Sequence, residues 1–364
     1  MTTNIIIDNI IYSLQKSGGV SVVWYELIKR ILKDSRINTK YIDYSNKDNI
    51  FRSKLNIPQK QILKPHFINT RIARYLDCKC YEINTPFIFH SSYYRISSNP
   101  KAVNITTVHD FTYEYFAKGL SKTIHCWQKH RAIRKSEYVI CISENTKKDL
   151  KKFIPEFPEE RIEVIYNGVS DDYFPLGEIS DKDIPFGKQK YLLFVGARGG
   201  YKNFNFLVES LKGTKYNLVI VGPSLEEHEK ELLNSNINNQ WHYAGRLSND
   251  KLNLLYNGAF AFIYPSSYEG FGIPVLEAQK AGCPVIAMNA SSIPEIIGDK
   301  SLLINNLNKE ELLTKLEILK DNNIIQSIIK AGIKNAQKYT WDKTYNKVIE
   351  LYKEIESQLN SQEA

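Results

Sequence analysis

The chain opens on an alternation of two hydrophobic rhythms. NIIID at 4–8 is a short apolar run of strand length. It is followed by VSVVWYELIKRIL, in which Val20, Val23, Trp24, Leu27, Ile28, Ile31 and Leu32 recur at helical spacing. This predicts strand, loop and amphipathic helix. FIFHSS, VNITTVHD, YVICIS and IEVIYNG are further short apolar runs, each leading into a loop or a helical pattern. Near-continuous apolar strands alternating with helices predict an α/β domain with a mainly parallel sheet covered on both faces.

The stretch PLGEISDKDIPFGK, 175–188, is rich in Pro, Gly and charge and has no apolar period, so it reads as a linker. Beyond it YLLFVG, YNLVIVG, WHYAG, AFAFIYPS and CPVIA form a second α/β series, and TYNKVIELYKEIESQL closes the chain as a helix. The expected organisation is an N-terminal domain over 1–174, the linker, a second domain over 189–341 and a final helix over 342–364 that packs on either domain. A length of 364 residues agrees with two cores rather than one.

Apolar residues at 43% and charged residues at 24% describe an ordinary globular protein. The opening MTTNIIIDNI lacks a basic stretch before its isoleucines, and runs such as AFAFIY at 259–264 are too short to span a bilayer, so a cytoplasmic protein is expected. Five cysteines are an odd set without zinc-like spacing and read as reduced thiols. The net charge of +8 is uneven: residues 1–175 hold 27 Lys and Arg against 18 Asp and Glu, the remainder 21 against 22. That surplus, with basic clusters at Lys129, Arg131, Arg134 and Lys135 and at Lys147, Lys148, Lys151 and Lys152, points to an anionic membrane surface at the inner face of the cell membrane. Nucleic acid is not expected, because aromatic residues are not interleaved with the basic ones.

The strongest chemical signal runs from Ser266 to Ile296. A strand ending at Tyr264 leads into a loop holding Glu269, Gly270, Phe271, Gly272 and Ile273, with Pro274 where a helix should begin. The glycines let the backbone approach a pyrophosphate, and amides at a helix start, aided by its dipole, suit an anion. Glu277, one turn in, is better placed for ribose hydroxyls than for the anion that would repel it. Glu269 is left for the hydroxyls of a transferred sugar. Arg198 and Lys202 follow the first strand of the second series on a glycine-loosened turn, where cations can neutralise a diphosphate. In the first domain Gly18 and Gly19 lie between strand and helix, and His109, followed by Asp110, sits at a strand's carboxyl end. The spacing is not that of a dinucleotide dehydrogenase. Asp181 and Asp183 form a DxD, but within the linker, so no metal site is expected.

EGFGIPVLEA followed by GCPVIA and SSIPE resembles the signature of family 4 of the retaining GT-B glycosyltransferases, with Glu269 and Glu277 as its two glutamates. GGV at 18–20, VHD at 108–110, ISENTKKDL at 142–150, VGARGGYKN at 195–203 and YAGRLSNDKLNLLY at 243–256 extend the similarity over most of the chain; EAQKAG stands where the family has EAMACG. The resemblance implies two Rossmann-like domains facing each other across a nucleotide-sugar cleft. It implies Arg198 and Lys202 on the leaving diphosphate, His109 near the donor sugar, and Arg246 and Leu247 beside the base. It further implies retention of configuration, a GDP- or UDP-linked donor and no cofactor. The chain is similar to bacterial O-antigen and capsule transferases, whose saccharide acceptor is expected to be lipid-linked. Fold alone leaves two other readings open: a nucleotide-sugar epimerase and a non-catalytic sugar-nucleotide-binding protein.

Overall fold

A computed structural model describes residues 4–44, 49–63, 65 and 69–363; the first three residues of the opening segment read above lie outside the described ones. The chain divides into two compact units, Met1–Asn167 with Trp341–Ala364, and Gly168–Thr340. The division falls ahead of 175–188. That stretch has no helix or strand and is held on the second unit, where Ile184 is buried and the Leu176 amide donates to Asn257 Oδ1 at 2.7 Å.

The first unit holds seven parallel strands, β1 (Asn4–Asp8), β2 (Thr39–Ile42), β3 (Ile62–Leu63), β4 (Phe87–Ser91), β5 (Ala102–Val108), β6 (Tyr138–Cys141) and β7 (Ile162–Val164), in the order β3-β2-β1-β4-β5-β6-β7. Ile5, Ile6 and Ile7 are all fully buried because both faces of β1 are covered, which explains an apolar run instead of an alternating one. On one face Trp24, Leu27 and Ile28 of helix Gly19–Ile31 meet Val348, Tyr352 and Ile355 of helix Trp341–Glu363 over Ile5, Ile7 and Ile88. The final helix therefore belongs to this unit. Ile6, Ile42, Phe87 and Phe89 form the core of the other face with Cys78 and Cys80.

The second unit repeats the plan. Six parallel strands, β8 (Tyr191–Val195), β9 (Asn217–Val221), β10 (Trp241–Gly245), β11 (Ala261–Tyr264), β12 (Val285–Met288) and β13 (Leu303–Ile304), run in the order β10-β9-β8-β11-β12-β13. Leu192, Phe194, Ile220, Ile263 and Ile286 centre its core against Phe204, Leu207 and Leu316. Both sheets are doubly wound, and each reverses direction beside its first strand, between β1 and β4 and between β8 and β11. Ligands of open α/β sheets bind outside the carboxyl ends at such a reversal. Every strand named from the hydrophobic pattern is present. The pattern missed β3 and β13, which at two residues each are too short to establish a period, and β2, whose TKYI is interrupted by Lys40.

Candidate active site

In the second unit the loops after β8 and β11 are stitched together. Asn203, in the left-handed conformation, donates through Nδ2 to Pro265 O and Ser267 Oγ, both at 2.7 Å, and the Ser267 amide donates to Tyr201 O at 2.8 Å. The result is that Lys202 Nζ stands 2.6 Å from Glu269 Oε1, with little of either side chain exposed. Two residues 67 apart in sequence, each expected to serve a different part of a nucleotide sugar, are one ion pair here. The Lys202 ammonium also lies 5.6 Å from the Tyr264 ring. Burial, then the Glu269 charge, hold the Tyr264 phenol protonated well above its ordinary pKa.

The Glu269 loop is clamped from below by residues in SSIPE. Ser291 Oγ accepts from the Glu269 amide at 2.8 Å, while Ser292 Oγ lies 2.9 Å from Glu269 O and 2.7 Å from Phe271 O. Gly272 caps helix Ile273–Lys280 at φ 115°, and a Cβ there would come within 2.7 Å of Ile293 Cδ1. Only glycine meets both demands without strain. Ile273 opens the helix and Pro274 is its second residue, one place later than the sequence suggested, still in the first turn where a missing N–H costs nothing. Glu277 follows one turn in, partly buried, and Tyr256 donates its hydroxyl to Oε2 at 3.3 Å. Burial pushes the Glu277 carboxyl up to about 7, against the opposing hydrogen bonds of Tyr173 and Tyr256.

Arg198 does not share the Lys202–Glu269 pair. Its Nε donates to Glu229 Oε1 at 2.7 Å and its Nη2 to Ser224 O at 2.8 Å, with 4% of the side chain exposed. Glu229 is held there by its own capping box at the start of helix Glu227–Ile237. Burial is the largest single influence and opposes the Glu229 charge, but the Arg198 hydrogen bond, the Glu226 amide and the Arg198 charge together outweigh it and keep the carboxyl below its ordinary pKa. Arg198 Nη1 is buried with no hydrogen-bond partner among the described residues, and Arg198 borders a cavity of about 450 Å³ with Gly199, Gly200, Phe204 and Ser224. Beyond β10, Arg246 is exposed, and Leu247 borders a second cavity with Trp241, Lys251 and Ile184. Asp181 and Asp183 are exposed, Asp181 Oδ2 lying 3.6 Å from Lys190 Nζ.

The remaining candidates are in the first unit. His109 directly follows β5, and its Nε2 is buried with no hydrogen-bond partner among the described residues. Burial, with Lys129 assisting and Asp110 opposing, pushes its pKa down to about 4, so the ring is neutral at physiological pH. Lys129, counted as a surface charge on sequence grounds, is fully buried: its ammonium donates to Asp110 O at 2.7 Å and Glu114 Oε2 at 2.9 Å and sits 4.7 Å from the Phe111 ring. It thereby pins the turn that carries His109. Gly18 caps helix Gly19–Ile31 in an extended conformation, and Gly19 is the first helical residue rather than part of the loop. A Cβ on Gly18 would collide with the Gln15 side-chain amide, while at Gly19 it would meet open space.

Two doubly wound parallel units, with a glycine-capped helix that carries one glutamate in its second turn and is preceded by another at the carboxyl end of the second sheet, define a glycosyltransferase of GT-B type. Comparison with known families agrees. The family described as Glycosyltransferase Family 4 matches residues 17–173, and Glycosyl transferases group 1 matches residues 177–335. The chain belongs to this family of glycosyltransferases. Among characterised relatives, O-antigen chain mannosyltransferase B of Escherichia coli is 25% identical over 267 residues, covering 68% of this chain and 70% of the relative. O-antigen chain mannosyltransferase RfbU of Salmonella typhimurium is 29% identical over 208 residues, 55% of this chain and just over half, 56%, of the relative. In fold, sucrose-phosphate synthase of Thermosynechococcus elongatus superposes with a TM-score of 0.73 at 14% identity, over 98% of this chain and 100% of that one. Alr3699/HepE of Anabaena, solved with UDP and glucose, does so with a TM-score of 0.69 at 15% identity, over 97% and 100%.

Proposed function

We propose that this chain transfers a hexosyl group, mannose by analogy with its relatives, from a GDP- or UDP-linked donor to a lipid-linked saccharide in O-antigen or capsule synthesis. The observation that carries the reading is the Lys202–Glu269 pair at 2.6 Å beside the Gly272-capped helix with Glu277 one turn along it. A cation, a hydroxyl acceptor and a helix N-terminus at one strand-end loop suit a diphosphate joined to a sugar and a ribose. The relatives named as O-antigen mannosyltransferases support the pathway, and the neighbour solved with UDP and glucose supports the donor class.

In this reading Lys202, the amides of Gly270 to Ile273 and the helix dipole stabilise the departing diphosphate, with Arg198 Nη1 supplying a further donor. Glu269 accepts from hydroxyls of the sugar and Glu277 from those of the ribose; Arg246 and Leu247 border the base. Gly18, Gly19 and a neutral His109 contribute from the first unit. The acceptor oxygen bonds to the anomeric carbon on the face from which the diphosphate oxygen leaves, and the acceptor proton passes to that oxygen, so configuration is retained. Charge neutralisation by side chains and amides makes an added metal unnecessary. The protein acts from the cytoplasmic side of the cell membrane.

A melting-temperature screen of UDP, GDP, ADP and CMP compounds identifies the base, because a ligand specific to the native state raises its stability. Donor consumption is then followed in EDTA with and without acceptor. Acceptor-dependent consumption is expected. Donor converted without acceptor is the result of an epimerase, and binding without turnover that of a non-catalytic protein; either overturns the proposal.

A further inference from the structure

Helix Gly119–Arg134 of the first unit is built inside out. Its inward face carries Gln128, Lys129, Ala132 and Ile133, all buried, and one of these is a lysine with no exposed surface. Its outward face carries Leu120, Ile124 and Trp127, spaced four and three residues apart and therefore aligned along one side. Leu120 is 73% exposed, Trp127 54% and Ile124 38%. Tyr113, Tyr115 and Phe116, just before this helix, are also exposed, so six large apolar side chains reach solvent within fifteen residues. Single exposed leucines are ordinary, but a clustered apolar surface of this kind marks a contact site.

Charge says what covers it. Residues 112–135 contain six Lys and Arg and one acid, Glu114, which is buried against Lys129. Lys118 is exposed two residues ahead of Leu120, and Arg131 and Arg134 continue the Trp127 side of the helix by one and two turns. The Arg131 guanidinium lies 5.9 Å from the Trp127 ring. Arg131 and Arg134 also pair with Asp77 and Glu156, both at 2.6 Å, which leaves Lys118 and the exposed Lys148 and Lys152 as the stronger local field. Lys152 Nζ lies 4.6 Å from the Tyr115 ring. Leucine, tryptophan and tyrosine bordered by cations match the boundary between acyl chains and anionic headgroups. No helix among the described residues is long and apolar enough to cross a membrane, so this contact is peripheral.

We propose that the outward face of helix Gly119–Arg134, with Tyr113 and Phe116, is the surface by which the protein docks on an anionic bilayer. It rests on the reading of a lipid-linked acceptor for its biological sense, but not for its measurement. The apolar side chains enter the interface, and the flanking lysines meet phosphate headgroups. Of the basic clusters read off the sequence, Lys148 and Lys152 remain in the docking charge and Lys118 joins them, while Lys129 is buried and Lys147 is paired with Glu159.

The full chain is co-sedimented with phosphatidylcholine vesicles with and without phosphatidylglycerol, at low and high salt, while tryptophan emission is followed. Expected is binding to the anionic vesicles only, weakened by salt, with a blue shift that Trp127→Phe removes; Trp24 and Trp341 are already buried. Leu120→Ser and Trp127→Ser each weaken partitioning by about tenfold, the loss of a largely buried apolar side chain. Ile324→Ser, an exposed isoleucine of the second unit, leaves it unchanged. Equal vesicle binding by Leu120→Ser, Trp127→Ser and the unaltered chain overturns the proposal. So does a dimer in solution that these two substitutions dissociate, with no vesicle binding. Vesicle binding through this face by a protein that turns over no nucleotide sugar would sink the transferase reading and leave the docking surface standing.

Discussion

The two sheets share a strand order and differ in what they do with their carboxyl ends. At the reversal in the first unit, Asp8 ends β1 with no exposed surface and is bound by Arg95 Nη1 at 2.8 Å and Ser91 Oγ at 2.9 Å. Nearby, His90 Nε2 meets Thr107 Oγ1 at 2.8 Å and Nδ1 meets Tyr352 at 2.6 Å. These polar groups pair with one another inside the protein, with Asp8 Oδ1 left without a hydrogen-bond partner among the described residues. At the corresponding place in the second unit, Lys202 and Glu269 also pair, but with 17% and 13% of their side chains in contact with solvent, on loops held by backbone and serine contacts. One topology thus supports a locked edge and an open one. The difference resides in the loops, as expected when function is grafted on a fold.

Breaking the lock should be the larger injury to stability. Arg95→Ala leaves Asp8 buried without its cation, and removing one partner of a buried pair costs about 3–5 kcal/mol. Chemical denaturation of the full chain should show that loss in the first unit's transition. A change below about 1 kcal/mol would mean water reaches Asp8 and the edge is not locked.

Breaking the open pair should spare stability and harm turnover. Lys202→Ala should lower the transfer rate by about a hundredfold or more, the scale of losing one positioned stabiliser of developing charge. Arg198 sharpens the contrast. Arg198→Ala alone leaves Glu229 without its partner, so lost activity there confounds folding with chemistry. The double variant Arg198→Met with Glu229→Leu replaces the pair by apolar groups and should restore stability. If it also restores turnover, Arg198 serves the fold and not the diphosphate.

Much of this was legible beforehand, and the boundary has a physical cause. Gly272, Pro274 and the two glutamates are local signals, because turn and cap chemistry is set by neighbours in sequence. Glu229 as the partner of Arg198, the Ser291 and Ser292 clamp, and Tyr256 beside Glu277 are pairings across 21 to 31 residues, which no period or spacing encodes. SSIPE was visible as a motif, but its contact with the Glu269 loop appears only once β11 and β12 lie side by side. Lys129 was misplaced for a related reason: charge predicts exposure unless a buried carboxylate and carbonyl compensate, and Glu114 and Asp110 do so here.

Next in size is the ribose contact. Glu277→Ala should weaken donor binding by about 1.5–3 kcal/mol, the worth of hydrogen bonds to a charged group, with turnover of bound donor changed far less. Calorimetry that finds unchanged affinity removes Glu277 from the donor site and leaves its tyrosine contacts as structural ones.

The smallest expected effect separates the two units by pH. Burial holds His90 near pKa 3 and His109 near 4, below the ordinary value of about 6.5. On acidification from about 6.5 the unfolded chain takes protons that the folded first unit refuses, so its stability is lost as pH falls toward 4. Glu277 acts in the opposite sense. Its folded pKa of about 7 is raised, so the stability it contributes is complete below the ordinary carboxyl value and is lost as pH rises through 7. Binding then reverses the balance, because ribose hydroxyls donate to the ionised carboxylate and not to its protonated oxygen. Below pH 7 the site must release a proton before it accepts the donor, so affinity should fall by about tenfold between pH 8 and 6, and level off above 8. Glu277→Gln should flatten the profile at the weaker affinity and remove the stability that the second unit loses as pH rises from about 4.5 through 7, while leaving the first unit's acid sensitivity in place. A donor affinity that instead improves on acidification would place the titrating group elsewhere and detach the raised carboxyl from nucleotide binding.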